Sequence, residues 1–197
     1  IRTNYIRKTV RNKGKIMKKF LKDVLSTGLY LLVVLIITYL IILYVGQRTE
    51  VSGDSMEPTL SNGDNLIVDK ISYRFNEPER FDIIVFPFQY QKDTYYIKRI
   101  IGLPGETVQI DEDGNIYIDG EILEESYGRE IIDEDKIGIA DEPITLGDDE
   151  YFVLGDNRNY SSDSRVKEVG NIKKDQIIGK AWLRIWPFSE IEFITHQ

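Results

Sequence analysis

Cysteine is absent from the 197 residues, and histidine occurs once, as His196. The first absence excludes disulfides, thiolate nucleophiles and cysteine-held metals. The second excludes a metal centre built from histidines. It also leaves any reactive serine without its usual base, because His196 sits one place from the end, where a chain is expected to fray. Carboxylates alone can hold calcium or magnesium. The one suggestive stretch, "DEDGN" from Asp111, puts its glycine at the fourth position rather than the sixth, and Ile122 stands where a bidentate acid is needed. Neither a metal nor a cofactor is expected. Internal repeats are lacking too, and outside one apolar run no helical period of useful length occurs. The first residue is Ile1 rather than Met, as expected of a trimmed product or a fragment.

Positive charge is scarce over most of the chain. The formal charge is −8, from 25 Lys+Arg against 33 Asp+Glu. Nine of those bases and a single acid, Asp23, fall within residues 1–23. The remainder is strongly acidic and repels nucleic acid, so no nucleic-acid partner is expected. The basic arm lies directly before 22 residues without a charge, 24–45. As a helix these span roughly 33 Å, enough for a bilayer's hydrocarbon core. Apolar residues occupy every face, which argues against a core helix. A cleaved leader would have a shorter apolar region and a small-residue site behind it, whereas the exit here reads "GQRTEVSG". The expected organisation is therefore a basic cytoplasmic arm (1–23), a transmembrane helix (24–45) and an extracytoplasmic domain (46–197). The excess of Lys and Arg before the span sets that orientation.

Beyond the span the chain reads as short β-branched and aromatic strands: "DNLIVDKIS", "FDIIVFPF", "TYYIKRIIG", "DEYFVLGD" and "IIGKAWLRIWPF". "ETVQIDEDGNIYIDGEIL" alternates around Asp113-Gly114, a hairpin signal. This predicts a mainly β domain of about 150 residues. The acidic stretch 106–150 reads as a reduced cap or surface excursion, and 127–142 has no convincing strand pattern.

Three stretches carry chemistry. "SGDSMEPTLSNGD" around Ser55 is dense in turn formers; Gly53 permits positive φ, and Pro58 holds Glu57 extended. Such a turn can expose a hydroxyl with a backbone N–H beside it, half of an oxyanion hole, or be an ordinary serine-rich turn. With no usable histidine, a serine here needs another base. Lysine serves if burial lowers its pKa. Lys98, in "YYIKRIIG", has apolar company; on a strand it shares a face with Tyr96 and Ile100, and Arg99 shares the other with Ile97 and Ile101. An edge-strand lysine with its head in water fits the same pattern. Lys180, in "IIGKAW", is the other lysine with apolar neighbours. The third stretch, "GDNRNYSSDSR", sets Asp163 and Arg165 two apart, close enough to brace a loop, with Ser161 or Ser162 able to bond a lysine amine.

Taken in order behind an anchor, these motifs resemble the type I bacterial signal peptidases, of the short Gram-positive kind. The resemblance runs from the anchor to about Pro187. It implies a signal-peptidase/LexA-like, β-barrel-type catalytic domain in the bacterial cell membrane. It implies a serine endopeptidase that removes signal peptides from exported pre-proteins after small residues. Matched position by position, Ser55 is the nucleophile and Lys98 the general base. Ser161 orients the lysine amine, Asp163 and Arg165 support its loop, and Asp156 belongs to that loop's opening turn. Val51, Ser52, Tyr95, Tyr96 and Ile97 are implied to bind substrate. The Gram-negative form carries a serine two places before the nucleophile; Gly53 stands there here, so the hole is left to backbone at Ser55 and Gly53. Implied partners are signal peptides, the bilayer and the secretion translocon. Trp182 and Trp186 are candidates for lipid contact or for core packing. The autoproteolytic Ser–Lys repressors share the catalytic fold, but they need a DNA-binding module and the transmembrane run argues against them. An adaptor that has lost activity is the alternative from another class.

Overall fold

The computed structural model describes residues 2–44 and 46–195; Val45, at the end of the expected span, and His196 lie outside the described residues. The chain divides into two compact units, one either side of Tyr44. The first is a single helix, α1 (Arg2–Tyr44). Its Met17–Leu40 portion is long and apolar enough to cross a membrane, with a mean hydropathy of 2.0. Those side chains are exposed on all faces, so the Met17–Leu40 portion buries none of its apolar surface. In water that would be prohibitive; in lipid it is the expected state. One such helix makes this a single-pass membrane protein.

The second unit is built of two antiparallel sheets. Its strands are β1 (Gly46–Glu50), β2 (Asn65–Asp69), β3 (Ile83–Pro87), β4 (Tyr95–Gly102), β5 (Thr107–Ile110) and β6 (Ile116–Ile118). They continue as β7 (Glu121–Ile122), β8 (Ile144–Thr145), β9 (Glu150–Leu154), β10 (Ile172–Lys173), β11 (Gly179–Trp186) and β12 (Glu192–Phe193). The larger sheet runs β1-β2-β11-β3-β4-β9-β10, with β12 beside β11; the smaller runs β7-β6-β5-β8. The expected barrel does not close. Among the described residues no ladder joins the end strands β1 and β10, and closure needs a continuous staggered ring of pairs.

Three apolar clusters hold these layers. Ile84, Phe86, Ile100 and Val153 pack on one side of the large sheet. Val51, Met56, Leu60, Leu66 and Ala181 form a second cluster beneath the Ser55 turn. The third joins the two sheets through Ile101, Val108, Ile110, Phe152 and Leu154. The crossing point is Gly102, where the β4–β9 register shifts. A Cβ there would lie 2.5 Å from the Val108 side chain and 2.8 Å from that of Leu146, so only glycine lets the sheets approach so closely.

The stretch 127–142, expected as a surface excursion, also feeds this core. Ile132, Ile137 and Ala140 are buried in the inter-sheet cluster, although the acids between them face solvent. Their spacing matches neither a strand nor a long helix, since they come from turns and short 3₁₀ segments. Trp182 and Trp186 are not core residues: they are 45% and 48% exposed, each against another aromatic, Phe193 and Phe188 respectively. Replacing Ile132 with Ala should cost about 2–5 kcal/mol in chemical denaturation of the domain. A change below about 0.5 kcal/mol would mean that the segment is only draped over the surface.

Candidate active site

The Ser55 turn is pinned from both sides. Met56 and Leu60 are buried, and the Leu60 N–H donates to the Met56 carbonyl at 2.9 Å. Behind the turn, the Asn157 N–H donates to the Ser55 carbonyl at 3.1 Å and its Nδ2 to the Asp54 carbonyl at 3.0 Å. Ser55 is left half-buried, with its side chain toward β4. Gly53 takes φ +99°, and its N–H donates to Asn62 Oδ1 at 2.9 Å. Gly53 was expected to lend its backbone to an oxyanion hole; in this turn its N–H is held by Asn62. No described residue accepts from the Ser55 N–H.

Lys98 lies on β4 and is 4% exposed. Its Nζ sits 2.8 Å from Ser55 Oγ and 2.9 Å from the Ile97 carbonyl oxygen. Burial pushes its pKa from 10.5 down to about 8. Asp163 and Asp156 pull it back up, and Arg165 opposes them. The two acids are themselves neutralised. Asp163 receives Arg165 through Nε and Nη2, both at 2.8 Å, and also accepts the Gly155 N–H at 3.0 Å. Asp156 receives Arg99 through Nε at 2.8 Å and Nη2 at 2.6 Å. Both pairs are bidentate and buried, so their cations screen the lysine from the full pull of the carboxylates. Lys180 has no such place: its amine pairs with the buried Asp82.

Ser161 does not make the hydrogen bond expected of it. Its Oγ is buried without a partner among the described residues, and the amine's two hydrogen bonds are to Ser55 and the Ile97 carbonyl. The hydroxyl instead packs beside Gly155. A Cβ at that glycine would lie 2.2 Å from Ser161 Oγ and 2.4 Å from the Ser55 carbonyl oxygen. The glycine thus lets the third stretch approach the Ser55 turn. Four further residues build the site. Thr59 Oγ1 donates to Asp156 Oδ2 at 2.6 Å, and the Tyr127 ring lies 3.8 Å from the Arg99 guanidinium carbon. Glu125 pairs with the buried Arg158 at 2.8 Å, and Asn157 ties the turn. Thr59 and Asn157 sat in view within the turn-rich motifs. Tyr127 and Glu125 sit in the acidic stretch and carried no signal.

A cleft of about 580 Å³ opens over Ser55 and Lys98. It brings together all five expected substrate residues, Val51, Ser52, Tyr95, Tyr96 and Ile97, and adds Tyr160 and Ser162 at its lip. One wall is a vacant strand edge. β4 pairs with β3 from Tyr95 to Arg99, but β9 covers only Arg99 onward, so among the described residues 95–97 lack a strand neighbour on that side. An extended peptide can add there, with main chain giving affinity and side-chain pockets giving choice.

Residues 24–186 match the family described as "Signal peptidase, peptidase S26". The chain belongs to the signal peptidase I family. A probable signal peptidase I-2 from Synechocystis is 40% identical over 166 residues, covering 79% of this chain and 72% of its own. The signal peptidase I T of Bacillus subtilis is 34% identical over 185 residues, 91% of this chain and 94% of its own. A solved signal peptidase I from Enterococcus faecalis is 36% identical, covers 53% of this chain and 97% of its own, and has a TM-score of 0.44. Membership makes this chain a signal peptidase I hydrolase, acting on the signal sequences of pre-proteins.

The depressed Lys98 pKa has a consequence for the stability of this signal peptidase. Well below pH 8 the amine is protonated in both the folded and the unfolded chain. Between about 8 and 10.5 the unfolded chain binds a proton that the folded chain has released, so stability rises with pH across that window. Measured against Lys98→Met, which does not titrate, the wild type should gain stability from pH 8 to 10.5. A flat difference would mean that the amine is solvated in the folded state.

Proposed function

We propose that this chain is a membrane-anchored serine endopeptidase that cuts with a Ser55–Lys98 dyad, after small residues of the Ala-x-Ala kind. The observation that carries this is the 2.8 Å approach of a buried amine to the Ser55 hydroxyl at the floor of the cleft. A lysine with a pKa of about 8 is partly neutral at physiological pH, and its lone pair can then accept a proton.

The reaction runs in two halves. Neutral Lys98 takes the Ser55 proton as Oγ attacks the carbonyl at the end of the signal peptide. The oxyanion forms against the Ser55 N–H. The lysine ammonium then gives its proton to the leaving amine, which departs as the new N-terminus of the mature protein. A water enters, loses a proton to Lys98 and cleaves the acyl-enzyme, restoring Ser55. Asp163, Arg165 and Asp156 act on Lys98 through its field and through the loop that backs Ser55. Gly53 offers no side-chain donor, so hole stabilisation rests on fewer donors than a two-donor hole, a difference worth about 3 kcal/mol where a site depends on it.

The topology fits this work. With the basic arm in the cytoplasm, residues after the span face outside, where the end of a signal peptide emerges. The half-exposed Trp182 and Trp186, with Phe188 and Phe193, supply an apolar surface that can rest on the bilayer. The substrate is proposed to lie extended along Tyr95, Tyr96 and Ile97 on one side and Val51 and Ser52 on the other. Contact with the translocon would follow from that location.

The test is cleavage of an Ala-x-Ala pre-protein by the full chain in detergent micelles. Ser55→Ala and Lys98→Met should each lose at least about 10³-fold in kcat/KM. In the wild type, kcat/KM should rise tenfold per pH unit up to about pH 8 and then level. Retained activity in Lys98→Met, or an acid limb centred above pH 10, would remove Lys98 from the role of base.

A further inference from the structure

The Ser55 turn carries a second hydroxyl directed into the site, that of Thr59. Its Oγ1 donates to Asp156 Oδ2 at 2.6 Å and accepts from Arg99 Nη2 at 3.3 Å. The two partners fix the direction of the bond. A guanidinium can only donate, so the single hydrogen of the hydroxyl goes to the carboxylate. The Thr59 backbone is held as well, because the buried Arg184 donates through Nη1 to its carbonyl at 3.3 Å. Thr59 therefore joins three stretches at one point. They are its own turn, which presents Ser55; Arg99, which follows Lys98 on β4; and Asp156, next to the Asn157 that backs Ser55.

Asp156 is fully buried, so each donor it holds alters the field it casts on its neighbours. Oδ1 takes Arg99 Nε, while Oδ2 takes both Arg99 Nη2 and the Thr59 hydroxyl. Arg99 has no spare donor aimed there, since its Nη1 is bound to the Phe81 carbonyl at 3.0 Å and its face rests on Tyr127. Lys98 feels Asp163 and Asp156, which favour its ammonium, and Arg165, which opposes it; the Tyr96 ring lies 5.1 Å from Nζ. Glu50, Asp54 and Asp93 line the same cleft, but they are exposed and screened by solvent. We propose that Thr59 is a positioning residue for this reaction: by donating to Asp156 it weakens that carboxylate's hold on Lys98 and keeps the amine able to accept the Ser55 proton. The proposal rests on the dyad reading given above. Thr59 acts through Asp156 and not on the reacting atoms.

The test is the pH dependence of kcat/KM for an Ala-x-Ala pre-protein, with the full chain in detergent micelles. Thr59→Val removes the hydroxyl and keeps the branched shape, whereas Thr59→Ser keeps the hydroxyl. In Thr59→Val the acid limb should move up by about half a pH unit, which lowers kcat/KM at pH 7 about threefold. The midpoint of the Lys98 amine titration, followed by NMR, should move the same way. Thr59→Ser should leave both where the wild type has them. Thr59→Ala carries the same expectation as Thr59→Val and replaces it if the valine chain does not fold. A limb that stays in place or moves down without the hydroxyl would overturn the proposal, however far the rate falls, because lost packing lowers a plateau without moving a titration. A serine variant shifted as far as the valine one would overturn it too. A wild type with no limb near pH 8 would instead defeat the dyad reading, and the proposal with it.

Discussion

The site depends on one costly arrangement, a lysine amine taken out of water and set against a serine hydroxyl. An isolated buried ammonium is strongly disfavoured, so the group is driven toward its neutral form. The rest of the local structure makes that burial tolerable. The Ile97 carbonyl supplies a second polar contact, and the two nearest carboxylates are occupied by Arg99 and Arg165. Had either acid been left unpaired, it would have held the amine protonated and unreactive. The bidentate pairs thus tune the lysine as well as brace the loop.

The fold explains how three distant stretches reach one point. β4 carries both Lys98 and Arg99 on opposite faces, so a single strand supplies the amine on one side and the anchor for Asp156 on the other. The Ser55 turn is fixed below by Met56 in the core and behind by Asn157 from the third stretch. Gly155 permits the contact between these turns, since any side chain there would occupy the space of Ser161 Oγ and the Ser55 carbonyl. The short reach of β9 leaves the first half of β4 unpaired and so opens the wall of the cleft. The close approach of Lys98 to Ser55 and the open wall of the cleft are two consequences of the same strand register.

Much of this was legible beforehand, for physical reasons. A 22-residue uncharged run has few alternatives to a membrane span, and the β-branched runs gave β2, β3, β4, β9 and β11. Scarcity of histidine led directly to lysine. β1 was not legible, because "GQRTE" has no strand pattern and forms an edge through pairing with β2 rather than by propensity. The burial of Ile132, Ile137 and Ala140 was hidden by intervening acids and by irregular backbone without a period. Tyr127 beneath Arg99 is a tertiary contact across the sheets that no local pattern encodes. Barrel closure came from resemblance, and the ladder connectivity does not support it.

The most direct test of the central claim is the ionisation of the Lys98 amine itself. The ¹⁵Nζ resonance of this residue, assigned by its loss in Lys98→Met and followed across pH in the full chain, reports it without reference to turnover. A midpoint near 8 is the predicted result. A midpoint near the ordinary 10.5 would contradict the account, because the amine would then be a solvated cation and no base for Ser55.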